Sequence, residues 1–559
     1  MFHGLLTTYK KIIMNAKYKW LLIILLGFTA CNTEEDLSRT PVVEPLPELT
    51  TGTADFSNYV ALGASFTAGY TDNALFKASQ ENSFPNIIAK EFAKVGGGTF
   101  TQPLMNDNYG GLAAGGNRIT DPRLVFGGAG PVSLESVIGP VTVSTDIVLN
   151  NPTGTFNNLG VPGAKSFHLL ANGYGNIANF PAAANPYAIR LTGSSPNASI
   201  LELAMAQNPT FFTLSEIGGN DVLGYATSGG DGSNPITDSP TFDFAFNTLV
   251  TTLTSGGAKG VVTNVPYITD LPHFTTVPYS PLDPSNSSFG PLIPTLNGIF
   301  GQLNNVFAYL QSVGAITNAE ERSIVFSTTA ASAVVIKDET LTDISAQIAG
   351  VLSASPEFAG LLQSFGLPTD PVTVGTVAAL FGASYGQSRQ ATANDLLVLP
   401  SMSVIGTVNT TAMQALMGYG LSQQLAAQFS TEGVTLPLED KWVLIPSEQA
   451  EIKAATDAYN ATIASVASSN PNVALVDLNS ILDKAATTGL VSDNFTLTTS
   501  LVTGGAVSLD GIHLTARGYA YMADKFLEAI DAAFGSNFVE SGNVANIGDY
   551  PTNYSPLLQ

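Results

Sequence analysis

Ser65 follows a short apolar run, Tyr59-Val60-Ala61-Leu62, and the two small residues Gly63 and Ala64. The run reads as a fully buried strand of a parallel sheet. Gly63 permits a tight turn after it. A serine where such a strand ends and a helix begins is placed for nucleophilic chemistry. Ligands of open α/β sheets bind there, and helix-start N–H groups stabilise developing negative charge. A serine in that position can equally be a helix N-cap. Gly163, in Asn158-Leu159-Gly160-Val161-Pro162-Gly163-Ala164, can offer an open backbone N–H to an oxyanion or simply make a turn. Asn220, in Ile217-Gly218-Gly219-Asn220-Asp221, is a side-chain oxyanion donor or an ordinary turn residue. Asp510 precedes His513 by three residues, near enough to orient the imidazole. An isolated Asp-x-x-His would instead read as a surface histidine with a chance neighbour.

The segments between these residues alternate in the manner of βα units. A helix is expected over Ser83 to Val95, with Ile87, Ile88, Phe92 and Val95 on one face and Gly96-Gly97-Gly98 as its stop. Phe100 to Thr155 reads as irregular. Helix Ala198 to Gln207, strand Phe211 to Leu214, helix Phe242 to Leu253 and strand Gly260 to Asn264 follow. From about Thr269 to Asp440 the rhythm is lost. Helical patches at Leu341 to Leu352, Pro356 to Phe365 and Ala412 to Phe429 are separated by Pro-rich loops such as Pro278 to Pro294. This stretch reads as a long insertion, a lid over the strand ends. Met402, Met413 and Met417 either line an acyl groove or pack its core. The rhythm returns with helix Ser447 to Ala467, strand Val473 to Leu478 and a last helix. Thr515 caps that helix, which turns Met522, Phe526, Ile530 and Phe534 inward.

Charged residues make up 12% of the 559, and the net charge is −23. That balance argues against a nucleic-acid partner, which needs clustered Lys and Arg, and against a broad basic membrane-binding face. A single cysteine and four histidines without a Cys/His cluster argue against a transition-metal site. Residues 1–31 read as a targeting segment, with Lys10, Lys11, Lys17 and Lys19 before the apolar Trp20 to Phe28; Met14 heads a complete signal peptide by itself. Phe28-Thr29-Ala30-Cys31 resembles a bacterial lipobox, with phenylalanine where leucine is usual. The resemblance implies lipidation of Cys31 and a membrane anchor in an exported outer-membrane lipoprotein. Residues 32–56 are expected to be a flexible acidic and Pro-rich tether. Their opening Asn32-Thr33-Glu34-Glu35-Asp36 is similar to the surface-export signal of Bacteroidota-type lipoproteins.

Gly-Ala-Ser, Asn-x-x-x-x-Gly, Gly-Gly-Asn-Asp and Asp-x-x-His stand in one order, each at an expected strand end or helix start. In this the chain resembles the SGNH/GDSL hydrolase superfamily. The resemblance implies a flavodoxin-like three-layer α/β/α sandwich over residues 57–535, with a mainly parallel five-stranded sheet, interrupted by the helical insertion at about 269–440. Residues 536–559 remain as a polar tail. It further implies a triad of Ser65, Asp510 and His513, and an oxyanion hole of Ser65 N–H, Gly163 N–H and the Asn220 carboxamide. The implied activity is cleavage of carboxylic esters, as an esterase, lipase or carbohydrate deacetylase, on a lipid or acylated-carbohydrate substrate and with no cofactor. One departure stands out. The family usually has Gly-Asp-Ser, and Ala64 occupies the Asp position, so the brace that this Asp gives the serine loop is missing.

Two other readings compete. The α/β-hydrolase fold also runs Ser, Asp, His, but its Gly-x-Ser-x-Gly follows a later strand, and here Thr67 fills the place of the second glycine. The other is a surface lipoprotein that binds glycan or lipid on an SGNH-like scaffold without chemistry. His168 and His273 lack a carboxylate neighbour in sequence and read as structural.

Overall fold

The computed structural model describes residues 45–558 apart from Ser194. The expected signal peptide, Cys31 and most of the expected tether lie outside the described residues. Five strands, β1 (Tyr59–Gly63), β2 (Asn158–Gly160), β3 (Phe211–Ser215), β4 (Lys259–Thr263) and β5 (Val473–Val476), pair into one sheet in the order 5-4-3-1-2. All four pairings are parallel, where a mainly parallel sheet was expected. Read from its other edge this is the doubly wound order 2-1-3-4-5, whose chain reverses direction of winding at β1/β3. Gly63 lies opposite Gly160 on one side and Ser215 on the other, so these three strands end level.

Every residue of β1 and β3 is buried. A parallel sheet of that kind must be covered on both faces, and the helices form two packed sets. The chain-ordered helices around the sheet are α1 (Ser65–Ala68), α2 (Phe84–Ala93), α3 (Ile200–Met205), α4 (Gly219–Thr227), α5 (Ser239–Thr254), α6 (Pro446–Ser469), α7 (Leu478–Thr487) and α8 (Ala516–Phe534). In one set Phe84 of α2 stacks on Phe526 of α8 with centroids 4.7 Å apart. In the other, Phe242 of α5 stacks on Tyr459 of α6 at 4.1 Å. The architecture is α/β, compatible with a three-layer sandwich. The last helix starts as its sequence dictates: Thr515 Oγ1 accepts the Gly518 N–H at 3.0 Å, and Gly535 closes it in the left-handed conformation.

Residues 277–445 pack around a second hydrophobic core that includes Phe300, Phe326 and Tyr385. Two of its helices, Ile293–Ser312 and Pro371–Tyr385, were not expected from sequence, and the patch at Ala412 to Phe429 is two helices, Thr410–Gly418 and Gln423–Gln428. Buried Arg389 bridges Asp338 and Asp395 at 2.6 and 2.7 Å within it.

Phe100 to Thr155 is less irregular than expected. It holds two hairpins, Leu112–Ala114 with Asn117–Thr120 and Leu124–Phe126 with Pro131–Ser133. The tether must also be shortened. Ala54 and Phe56 are buried, and Phe56 stacks on Phe92 at 4.0 Å, so an aromatic anchor fixes the chain before residue 57. The tail packs as loop, with Phe538 and Ile547 buried and Arg123 donating to the Ser555 carbonyl at 2.6 Å.

Candidate active site

Ser65 is the first residue of α1, a single helical turn immediately after β1. A turn this short cannot hold itself, because most of its N–H and C=O groups have no partner inside it. Neighbouring strands hold it at both ends. At its carboxyl end Asn158 Nδ2 donates to the Thr67 carbonyl at 2.8 Å. Gly160 packs so close that a methyl group there would lie 2.3 Å from the Ala68 nitrogen.

At its amino end the partner is Glu216, which sequence reading missed. Glu216 Oε1 accepts the N–H of Ala64 at 2.6 Å and that of Thr67 at 3.0 Å, and Oε2 lies 3.3 Å from Thr67 Oγ1. A carboxylate at a helix start suits the exposed N–H groups there. Glu216 itself takes the left-handed conformation, φ 49°, rare outside glycine. Its own N–H donates to Thr263 Oγ1 at 2.9 Å. Burial pushes its carboxyl up to about 7, against the opposing pull of these hydrogen bonds. The chain thus braces its serine turn from β3, not from position 64.

Gly163 lies in the turn after β2 with φ 80°, a conformation glycine takes without strain. Asn220 is the second residue of α4 rather than part of an open turn. Its Nδ2 donates to the Ala164 carbonyl at 2.9 Å, which uses one of the two amide hydrogens and ties α4 to the Gly163 turn. Asp221 adds a second tie. It accepts the Ser166 N–H at 2.9 Å and the Ser166 hydroxyl at 2.7 Å. Among the described residues the N–H groups of Ser65 and Gly163 have no hydrogen-bond acceptor.

Asp510 and His513 meet as their spacing suggests, with His513 Nδ1 2.9 Å from Asp510 Oδ2. Asp510 Oδ1 also accepts the N–H groups of Ile512 and His513, both at 2.8 Å. Burial acts to raise the Asp510 pKa. The His513 ring beside it and these N–H groups outweigh burial and hold the carboxyl below the usual range. An ionised carboxylate only accepts, so the Nδ1 that faces it carries a hydrogen.

A second loop clamps this one. Asn73 N–H donates to Asp510 Oδ2 at 2.8 Å, Asp72 N–H donates to Ser508 Oγ at 3.1 Å, and Asp72 Oδ1 accepts the Leu509 N–H at 3.1 Å. Asp72 and Asn73 both adopt positive φ, 51° and 62°. Asx residues tolerate that conformation, and Asx-Asx beyond the first strand was the signal available. Burial raises the Asp72 carboxyl to about 7, with the negative Asp510 adding to the effect.

Ser65 and Asn220 therefore line one cleft, with Phe66, at the carboxyl ends of the strands. Phe66 also stands edge-on to the His513 ring at 5.9 Å, and Tyr70 lies against the same ring at 4.6 Å. Gly163 adjoins through Ala164 and Asn220. No hydrogen bond joins the Ser65 hydroxyl to His513 among the described residues. Met402 and Met417 are exposed, Met413 is half-buried, and none of the three lines the cleft, so neither expectation for them holds.

His168 Nδ1 accepts the Lys165 N–H at 3.0 Å, and the ring stacks on Tyr174 at 4.5 Å. His273 packs against the Asp510 loop, its N–H donating to the Gly511 carbonyl at 3.0 Å. Among the described residues one acidic trio, Glu339, Asp440 and Glu448, brings its oxygens within 4.8 Å of one another. Burial raises Asp440 to about 6 and Glu448 to about 8, so protons relieve the repulsion there, and Glu448 Oε2 is already engaged by the Ile445 N–H at 2.8 Å.

No family model matches the chain, and no curated protein or solved structure matches it either.

Proposed function

We propose that the chain is a serine hydrolase of carboxylic esters, of the SGNH/GDSL kind, working from Ser65, His513 and Asp510. The observation that carries this reading is the arrangement at the sheet's carboxyl edge. A serine heads a braced helical turn, an Asp–His pair packs against the next residue, Phe66, and a tethered carboxamide lines the same cleft.

In this mechanism Ser65 Oγ attacks the acyl carbon as its proton passes to His513 Nε2. Asp510 keeps the ring in the required tautomer and balances its positive charge. The carbonyl oxygen, now negative, is received by the N–H groups of Ser65 and Gly163 and by the second amide hydrogen of Asn220. His513 returns its proton to the departing alkoxide, and the C–O bond to the alcohol breaks. Water, deprotonated by the same nitrogen, then cleaves the acyl-serine and restores the hydroxyl. As part of the same reading the protein is an exported lipoprotein anchored through Cys31, with no nucleic-acid partner.

The test is labelling of the full chain with a fluorophosphonate, together with hydrolysis of p-nitrophenyl esters. Labelling lost in Ser65→Ala, and hydrolysis lost in both Ser65→Ala and His513→Ala, is the expected result. Hydrolysis that survives in Ser65→Ala would remove the serine from the mechanism. A protein that neither labels nor hydrolyses would be the binding lipoprotein instead.

A further inference from the structure

We infer that the cleft beside Ser65 is an acyl-chain site, and that the preferred substrate carries a linear acyl group of about ten to twelve carbons. The inference rests on the hydrolase reading for which end of the ligand reacts. The cleft encloses about 990 Å³ when the open solvent at its mouth is counted. It crosses the carboxyl ends of four strands in spatial order. Ser65 and Phe66 follow β1, Asn220 and Leu223 follow β3, Ile268 and Leu271 follow β4, and Ile481 and Leu482 follow β5.

Its polarity is one-sided. Ser65, Glu216 and Asn220 lie at the β1 and β3 end, and Tyr521 of α8 adds one hydroxyl. Beyond them the wall is almost entirely aliphatic. Leu490 and Leu497, cross-strand partners in a small hairpin, and Met522 of α8 also line it. Leu223, Ile481 and Leu482 are left half-buried along the cleft. A glycan ester would need hydrogen-bonding groups along its length, and this wall supplies almost none. An acetyl group would leave most of it unfilled. An alkyl chain running from the serine towards β5 fits both the chemistry and the direction.

The length follows from the sheet. Three inter-strand spacings separate β1 from β5, about 14 Å in all. An extended alkyl chain advances about 1.25 Å per carbon, from a bond of about 1.5 Å at a tetrahedral angle. The cleft therefore accommodates about eleven carbons. The insertion contributes little to it, since the wall past β4 comes from α7, the hairpin and α8. Acyl selection is thereby a property of the sheet domain.

The experiment measures kcat/KM of the full chain on p-nitrophenyl esters from C2 to C16, beside direct binding of a dansylated undecanoic acid to Ser65→Ala protein. The expected profile rises by roughly fourfold per methylene, less where the enzyme nears the encounter limit, and stops rising between C10 and C12. Ile481→Trp, at a half-buried position, should lower the C10-to-C2 ratio at least tenfold and weaken the dansyl acid. Ala485→Phe, deeper in the cleft, should do the same if the first variant fails to fold. Hydrolysis with a flat or acetate-favouring profile, and no dansyl acid bound, would overturn the acyl site while leaving the hydrolase. Dansyl binding that Ile481→Trp weakens, without hydrolysis of any ester, would keep the acyl site and remove the hydrolase.

Discussion

The Glu216 carboxylate accepts the Ala64 N–H at 2.6 Å, across 152 residues of chain, and so joins the ends of the two central parallel strands. The same oxygen takes the Thr67 N–H. Glu216→Ala would leave both donors without a partner at a buried site, at about 1–3 kcal/mol each. Glu216→Gln keeps an oxygen for both and should lose much less. Urea unfolding of the two variants checks this, with Ala expected several kcal/mol below Gln. Hydrolytic activity should follow the same order, because Ser65 lies between the two braced N–H groups. Equal stability of the two variants would refute the brace.

Glu216 also predicts how stability depends on pH. Its folded carboxyl is raised to about 7 by burial, whereas an unfolded glutamate titrates near its ordinary value. Between those two values the folded state binds more protons than the unfolded state, so stability falls as pH rises through the window. The stabilisation is complete below the unfolded value and gone above about 7. Its upper bound is roughly 3 kcal/mol. Glu216→Gln cannot titrate and should flatten that part of the curve. Asp72, raised to about 7 by burial as well, acts in the same direction, so some slope remains in the single variant. An unchanged slope would mean that Glu216 is ionised in the fold throughout.

Much of the sheet could be read in the sequence because parallel strands buried on both faces appear as mostly apolar runs, as in Tyr59 to Leu62 and, with one threonine, Phe211 to Leu214. The Asp510–His513 pair was legible because both partners share one short loop. Glu216 was not, since its ligands lie 149 and 152 residues away and no local pattern encodes them. The clamp of Asp72 and Asn73 on the Asp510 loop spans 437 residues and was hidden for the same reason. Edge strand β2 has three residues, Asn158, Leu159 and Gly160, too few to display a period. Within residues 277–445, Pro371–Tyr385 is small and apolar nearly all round, without the polar face that marks a helix end to end. Ile293–Ser312 follows directly on a Pro-rich loop that disguises its start.

Asp510 accepts from the Ile512, His513 and Asn73 N–H groups as well as pairing with His513 Nδ1. Asp510→Asn can turn its amide so that NH2 faces Nδ1, which forces the hydrogen onto Nε2 and removes the base. The expected loss in kcat is roughly 10⁴-fold. The Ile512 and His513 N–H contacts on the other oxygen survive while the Asn73 N–H loses its acceptor, so unfolding should change less than for Asp510→Ala, which loses all three. Near-normal turnover in the Asn variant would mean that His513 does not take the serine proton.

Asn220 and Gly163 allow the oxyanion assignment to be tested separately from folding. Removal of one such donor costs about 10²- to 10³-fold in kcat with KM little changed. Asn220→Ala also frees the Ala164 carbonyl, so its effect mixes binding of the oxyanion with support of the turn. Gly163→Ala is cleaner. A methyl group there finds only Asn185 Nδ2 at 3.8 Å, so space is not the obstacle. The obstacle is φ 80°, which disfavours alanine by about 1–2 kcal/mol. The turn is held around that residue by Asn185 Nδ2 on the Pro162 carbonyl, Asn220 on Ala164 and Asp221 on Ser166. It can keep its shape and absorb the strain as lost stability, or relax by rotating the 162–163 peptide and turning the N–H away. The first outcome lowers unfolding free energy by about 1–2 kcal/mol with kcat preserved. The second preserves stability and lowers kcat at least tenfold. Because the N–H is the proposed donor, the two losses must trade against each other. A variant that shows neither would exclude Gly163 from the oxyanion hole.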